Sequence, residues 1–315
     1  MSSNAATQTV TAVALLCPGQ GAQHIGMGKS WAEASAAARD VFQQANDILG
    51  YDLTSLCFDG PEDVLNRTDR AQPAIYTASV ASYRGLVETG ELNPDDLAMT
   101  AGLSLGEFTA LHLADAVTFE NGLKLVQLRG EAMQQAAEAA DSSMVAVTGD
   151  VTEEKILELC DKARGEGILV PANYNSPMQV VVSGSTDACE RAVKVADEMG
   201  LKPTPLAVAG AFHSPIMAPA ANKLREALVQ TPFTAPRVPV IANVTGQPHD
   251  DNPDAIREQL VNQLTHPVRW TQSMGLAAQD FSFSQFRELA PGRVLSGLMR
   301  RIDRSIKVRN HAEPA

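Results

Sequence analysis

Short apolar runs alternate along the chain with longer amphipathic stretches. Residues 10–17 (VTAVALLC) are apolar with β-branched members and run into PGQGAQ, which is loop chemistry. This predicts a buried strand feeding a turn. Residues 29–49 carry helical spacing and good helix formers, as do residues 72–89, with Pro73 expected at a helix start. A short strand over 97–101 (LAMTA) leads at once into GLSLG and a helical stretch from Glu107. Strands alternating with helices predict a parallel α/β sheet.

Near residue 142 the pattern changes. MVAVTG (144–149) reads as a strand, and Thr152 caps an acidic helix start, TEEKILELCDKA. ILVPANYN and MQVVVSG follow as two strands joined around Ser176 and Pro177. Thr186 opens a second helix through Met199, and LKPTPLAV (201–208) closes as a strand. The order β-α-β-β-α-β is the ferredoxin-like arrangement, and about 67 residues suit that unit. The expected organisation is a discontinuous α/β domain over 10–141 and 209–305, with an inserted α+β subdomain over 142–208. The larger part resumes with a helix over 214–230, a strand over 238–242, a helix over 253–265 and a helix from about 270. A strand over 283–289 and a helix over 292–302 complete it. Residues 1–9 and 310–315 are polar or small and are expected to be loose.

Composition removes several classes of function. The chain has 315 residues, 44% hydrophobic and 20% charged, as in a globular protein with a substantial core. Lys+Arg total 25 against Asp+Glu 37, a net charge of −12, which argues against a nucleic-acid partner. No apolar run is long enough to cross a bilayer, and the N-terminus lacks the basic and apolar regions of a secretory signal. No membrane partner is expected. Cys17, Cys57, Cys160 and Cys189 form neither a C-x-x-C pair nor a metal spacing, so they read as reduced thiols in a cytoplasmic setting, with no metal site.

The candidate chemistry centres on GLSLG (102–106), a G-x-S-x-G match between a strand and a helix. Glycines there let the chain turn sharply and leave Ser104 exposed at the bend. A serine hydroxyl needs a base, usually histidine. Of six histidines, His112 lies about 12 Å along the helix from the serine. His249 sits in a polar loop, His311 in the tail, and His266 before Pro267 as an extended surface residue. His24, after the GQGAQ loop, and His213, in AGAFHSP, both remain open. Attack on a thioester would build negative charge on oxygen, which two backbone N–H groups normally meet. Leu105 N–H, at a helix N-terminus, could be one, and the P-G-Q-G loop could supply the other. Arg129 lies in an otherwise apolar helical stretch, where it calls for a structural acid or a substrate carboxylate.

Together these residues resemble the malonyl-CoA:acyl-carrier-protein transacylase family of fatty-acid synthesis, over about residues 10–303. The segments that carry the resemblance, in order, are CPGQGAQHIGMG, AQPAIYTAS, GLSLGEFTAL, LRGEAMQ, NYNSPMQVVVSG, AFHSPIM, NVTG, QLTHPVRW and ELAPGRVLSGL. The resemblance implies a larger α/β-hydrolase-like domain with a short parallel sheet, plus the ferredoxin-like insert. It implies Ser104 as nucleophile and His213 as base, with His213 oriented by the main-chain carbonyl of Gln263. Gln20 and Leu105 would supply the oxyanion N–H groups, and Arg129 would bind the malonyl carboxylate. Asn175 would stand near the site, and Phe212 would match the malonyl-selective form of its motif. Two positions depart from the family pattern: Leu103, often histidine, and Met178, usually glycine.

The implied reaction is ping-pong transfer from malonyl-CoA to the phosphopantetheine thiol of acyl carrier protein, by a monomer, with no cofactor. The pathway would be fatty-acid or polyketide synthesis. Carrier proteins of this kind are acidic, so docking on this acidic chain needs a local basic patch. Arg293, Arg300, Arg301, Arg304 and Lys307 cluster near the C-terminus, where solvated surface charge also explains them. The rivals are a serine hydrolase, which would pass its acyl group to water, and a scaffold that kept the fold without catalysis.

Overall fold

The computed structural model describes residues 12–280, 283 and 285–315. The expected loose segment 1–9 and the first two positions of the strand expected at 10–17 lie outside the described residues. Two sheets organise the chain. The first holds five strands, β1 (Val13–Cys17), β2 (Leu97–Gly102), β7 (Val240–Ile241), β8 (Gln285–Leu289) and β9 (Val308–His311). They are ordered β7-β2-β1-β8-β9, and every pair is parallel. The second is antiparallel, with strands β3 (Ser142–Thr148), β4 (Leu169–Ser176), β5 (Gln179–Ser185) and β6 (Lys202–Pro205) in the order β4-β5-β3-β6.

Period-two alternation explains the layers. All five residues of β1 are buried, as expected for a parallel strand covered on both faces. Val13, Leu15 and Cys17 enter one apolar cluster, and Ala14 and Leu16 enter another on the opposite face. In β3, Val145 and Val147 pack under the helices Glu153–Arg164 and Thr186–Glu198. Met144 and Ala146, on the other face, join the main core. The antiparallel sheet therefore lies with one face against the larger body. Its edge strand β4 is also tied there, because Tyr174 N donates to Val268 O and Val268 N donates to Ala172 O, each at 2.8 Å.

Several expectations need correction. The helix expected over 29–49 is two helices, Lys29–Ala34 and Ala36–Leu49. Ser35 between them is extended, and its Oγ accepts from Ala38 N at 3.0 Å, an N-cap that restarts the helix in a new direction. The helix expected from Pro73 begins earlier, at Thr68, and holds Pro73 in its interior. It is buried on nearly every side, so packing offsets the hydrogen bond that proline removes. Two short helices, Leu53–Asp59 and Glu62–Leu65, were not anticipated. The tail expected to be loose over 310–315 begins inside β9. There β8 pairs with it, His311 is buried, and Trp31 Nε1 donates to His311 O at 2.9 Å. No helix among the described residues is long and apolar enough to cross a membrane.

Candidate active site

The G-x-S-x-G segment forms the bend between β2 and the helix Gly106–Leu113. Its glycines are demanded by close approach. A Cβ on Gly102 would fall 1.9 Å from the Gly106 carbonyl, and one on Gly106 would fall 2.1 Å from Cys17 O. With β2 pressed this tightly against its helix, Ser104 takes a left-handed conformation, φ 52°. Such a conformation in a non-glycine residue must be held by its surroundings. Asn243 does the holding. Its Oδ1 accepts from Ser104 N at 2.6 Å, and its Nδ2 donates to Gly102 O at 2.7 Å.

His213 also has a positive φ, 57°, just before the short 3-10 turn Pro215–Met217. Its Nδ1 lies 2.6 Å from Gln263 O, and its Nε2 lies 2.8 Å from Ser104 Oγ. A carbonyl can only accept, so Nδ1 carries the proton and Nε2 faces the hydroxyl with its lone pair. Burial first, and the nearby Arg129 charge second, push the His213 pKa down to about 4. The ring is therefore neutral and able to accept a proton at neutral pH.

Arg129 comes from the helix Phe119–Glu138 and is 1% exposed. Its guanidinium donates to Gln72 Oε1 at 2.7 Å, to Gln263 Oε1 at 2.8 Å and to Ser104 Oγ at 3.0 Å. Its Nε has no hydrogen-bond partner among the described residues. Burial pulls its pKa down to about 10, so it stays charged at neutral pH. No carboxylate among the described residues forms an ion pair with it, although the field of the buried Glu107 favours its charged form.

Ser104, His213, Arg129 and Gln263 thus meet through direct hydrogen bonds. Ser104 and His213 open onto a cleft of about 440 Å³ between the two sheets, which Gln20, Leu103, Asn175 and Phe212 also line, while Arg129 and Gln263 are buried and form no part of its wall. The Asn175 Oδ1 is buried with no hydrogen-bond partner among the described residues. Neither Gln20 N–H nor Leu105 N–H donates to another group among the described residues. Leu105 itself is fully buried beside the serine and contributes no wall to the cleft. Met178 is 57% exposed at the β4–β5 turn. Arg293, Arg300, Arg301, Arg304 and Lys307 are all exposed, and the helix Val294–Ile302, which carries Arg300 and Arg301, lends Val294 and Leu298 to the cleft wall.

Other histidines fall elsewhere. His24 and His266 are exposed, and His112 Nδ1 is bonded to Val117 O at 3.0 Å. His249, expected in a polar loop, is buried, with Nε2 2.7 Å from Glu107 Oε1. Asn243, Glu107 and His249 are the neighbours of the site that sequence reasoning missed. One signal was available: Glu107 sits in a helix, GEFTALHL, whose residues are otherwise almost all apolar or small.

The acyl transferase domain family matches residues 14–307. The malonyl CoA-acyl carrier protein transacylase of Escherichia coli strain K12 is 41% identical over 295 residues, covering 93% of each chain. The solved malonyl CoA-acyl carrier protein transacylase of Coxiella burnetii superposes with a TM-score of 0.92 at 36% identity, covering 96% of this chain and 94% of that one. A malonyl-transacylase solved in complex with its type II PKS acyl-carrier protein superposes at 0.91 with 37% identity, covering 96% and 97%.

Proposed function

The chain belongs to the acyl transferase domain family and is an acyltransferase; from that premise we propose that it moves a malonyl group from malonyl-CoA to the phosphopantetheine thiol of an acyl carrier protein. The observation that carries the malonyl reading is Arg129, a buried cation without an ion pair, in hydrogen-bond contact with the nucleophile. An acyl group that ends in a carboxylate would supply the missing partner while its thioester carbon sits at Ser104.

The proposed cycle has two halves. Ser104 Oγ attacks the thioester carbonyl as its proton passes to His213 Nε2. The carbonyl oxygen gains negative charge, which the free N–H groups of Gln20 and Leu105 are suited to receive. The intermediate collapses, the C–S bond breaks, and the His213 proton leaves with CoA as its thiol. A malonyl-serine ester remains. The carrier thiol then attacks this ester, His213 takes the thiol proton, and that proton returns to Ser104 Oγ as the ester breaks. Gln263 O stabilises the protonated ring in both halves through Nδ1–H. Neither half changes an oxidation state, and we assign no metal or redox cofactor to it.

We propose that a single chain is the working unit, because Ser104, His213, Arg129 and Gln263 meet through direct hydrogen bonds within it. We read the parallel layer as α/β-hydrolase-like and the β-α-β-β-α-β unit as a ferredoxin-like insert over 142–208, because its strand order and two helices have that arrangement. The same chemistry serves fatty-acid and polyketide chain building. Intact-mass measurement after mixing with malonyl-CoA tests the proposal. A malonyl adduct is expected on the natural chain and not on Ser104→Ala, and it should discharge to holo acyl carrier protein faster than to water. An adduct that survives in Ser104→Ala, or that only water removes, refutes it.

A further inference from the structure

The proposed chemistry uses Ser104, His213 and Arg129, but a second layer of buried polar groups does not touch the cleft. Glu107 lies in the first turn of the helix that follows the serine, and its side chain is 1% exposed. Its Oε1 accepts from His249 Nε2 at 2.7 Å. Its Oε2 accepts from Asn243 N at 3.3 Å and from Gln263 Nε2. Both latter partners lead straight to the reacting groups. Asn243 clamps the backbone at Ser104, and Gln263 touches Ser104 O, Arg129 and His213.

We propose that Glu107, held by His249, is a positioning residue that fixes the side-chain amide of Gln263 and, through it, the guanidinium of Arg129. The inference rests on the malonyl-transfer reading above. Its logic is one of donors and acceptors. A carboxylate only accepts and a guanidinium only donates. The Gln263 amide lies between the two, so its NH2 must face Glu107 and its oxygen must face Arg129. The reverse orientation would set lone pairs against lone pairs and N–H against N–H.

The same NH2 donates to Ser104 O at 2.9 Å, so one amide spans the nucleophile, the cation and the acid. His249 closes the arrangement from behind. It occupies the other carboxylate oxygen, and its own backbone is fixed where His249 N donates to Val240 O at 2.8 Å. The carboxylate is thereby kept from turning away from Gln263. Without it, only Arg129 and Ser104 O would hold the amide, and the fork offered to a substrate carboxylate would lose its fixed direction.

The test compares single-turnover acylation by malonyl-CoA and by acetyl-CoA, followed by intact mass, in the natural chain and in Glu107→Leu, His249→Phe and Glu107→Gln. A loosened guanidinium should penalise the acyl group that carries a carboxylate. The malonyl-to-acetyl rate ratio is expected to fall at least about fivefold in Glu107→Leu and His249→Phe, the order of one lost hydrogen bond. In Glu107→Gln the amide oxygen can still accept from Gln263 and Asn243, and its NH2 can donate to His249 Nε2 once the ring proton sits on the otherwise unbonded Nδ1. Its ratio should stay within about twofold of the natural chain.

An unchanged ratio in His249→Phe, with both rates falling together, would reduce Glu107 to a structural group and overturn the inference. So would a Glu107→Gln ratio as low as that of Glu107→Leu. Should Glu107→Leu fail to fold, the other two variants still decide. Failure of the functional reading looks different: the natural chain itself would then form no Ser104-dependent malonyl adduct.

Discussion

Replacing Arg129 with alanine isolates the interaction on which the malonyl reading depends. A guanidinium has five N–H donors. Three are engaged in the protein, one on Nη1 with Gln72 and both on Nη2 with Gln263 and Ser104, so a carboxylate that takes a guanidinium fork displaces one of the Nη2 contacts. Two charge-assisted hydrogen bonds at roughly 1.5–3 kcal/mol each, less about 1 kcal/mol for the displaced contact, amount to about 2–5 kcal/mol. That corresponds to roughly 30- to 5,000-fold in malonyl acylation. Acetyl-CoA has no carboxylate to lose. It should suffer only the looser placement of Gln263 and Ser104, about one hydrogen bond or roughly tenfold. The assay is kcat/KM for enzyme acylation by each thioester, with a thermal melt to show that the variant is folded. Arg129→Lys should fall between the natural chain and Arg129→Ala for malonyl, because it keeps the charge and loses the fork. Equal losses for malonyl and acetyl in Arg129→Ala would refute the carboxylate clamp.

Acid should destabilise the fold through His213. Its folded pKa, about 4, lies below the unfolded value near 6.5, so the unfolded chain binds a proton that the folded ring refuses. Stability present above pH 6.5 is lost as pH falls toward 4, by about 3 kcal/mol, and His213→Gln should show a smaller drop in Tm between pH 7 and 5. Gly102→Ala should cost more than about 3 kcal/mol in a denaturant melt, since its Cβ meets backbone that cannot yield; a loss under about 1 kcal/mol would contradict the close packing of the bend. Phe212 is 6% exposed on the cleft wall, so Phe212→Ser should raise methylmalonyl-CoA acylation relative to malonyl-CoA. An unchanged ratio would remove Phe212 from selectivity.

The parts of the molecule that sequence made legible share a property: their signals are local. The strand–GLSLG–helix order placed the serine bend within a few residues, and apolar periodicity gave both sheets. What escaped depends on contacts between distant segments. His249 sits in QPHDDNPD, which reads as a polar loop, but the turn from Ala242 to Gln247 folds it back against Glu107, 142 positions away. Asn243 is equally plain in sequence and meets Ser104 only across 139 positions. The break at Ser35 was hidden because helical spacing continues on both sides of it. Strand β9 was missed because VRNH is short and polar and gains its place from pairing with β8.

The charges at the site are arranged with a common logic. A buried cation is costly unless paired, yet the acid whose field reaches Arg129, Glu107, is committed to His249, Asn243 and Gln263. Part of the cost therefore stands in the free protein, and a ligand carboxylate in contact with the guanidinium would offset it. The same unpaired charge helps hold the His213 pKa down. Neutralising it with a carboxylate would let that pKa rise, so the base would gain proton affinity when an acid-bearing acyl group is in place. An acyl group without a carboxylate would leave both the uncompensated cation and the weaker base. Selectivity and base strength would then come from one guanidinium, which gives a physical reason for its contact with the nucleophile at 3.0 Å rather than at a remote end of the cleft.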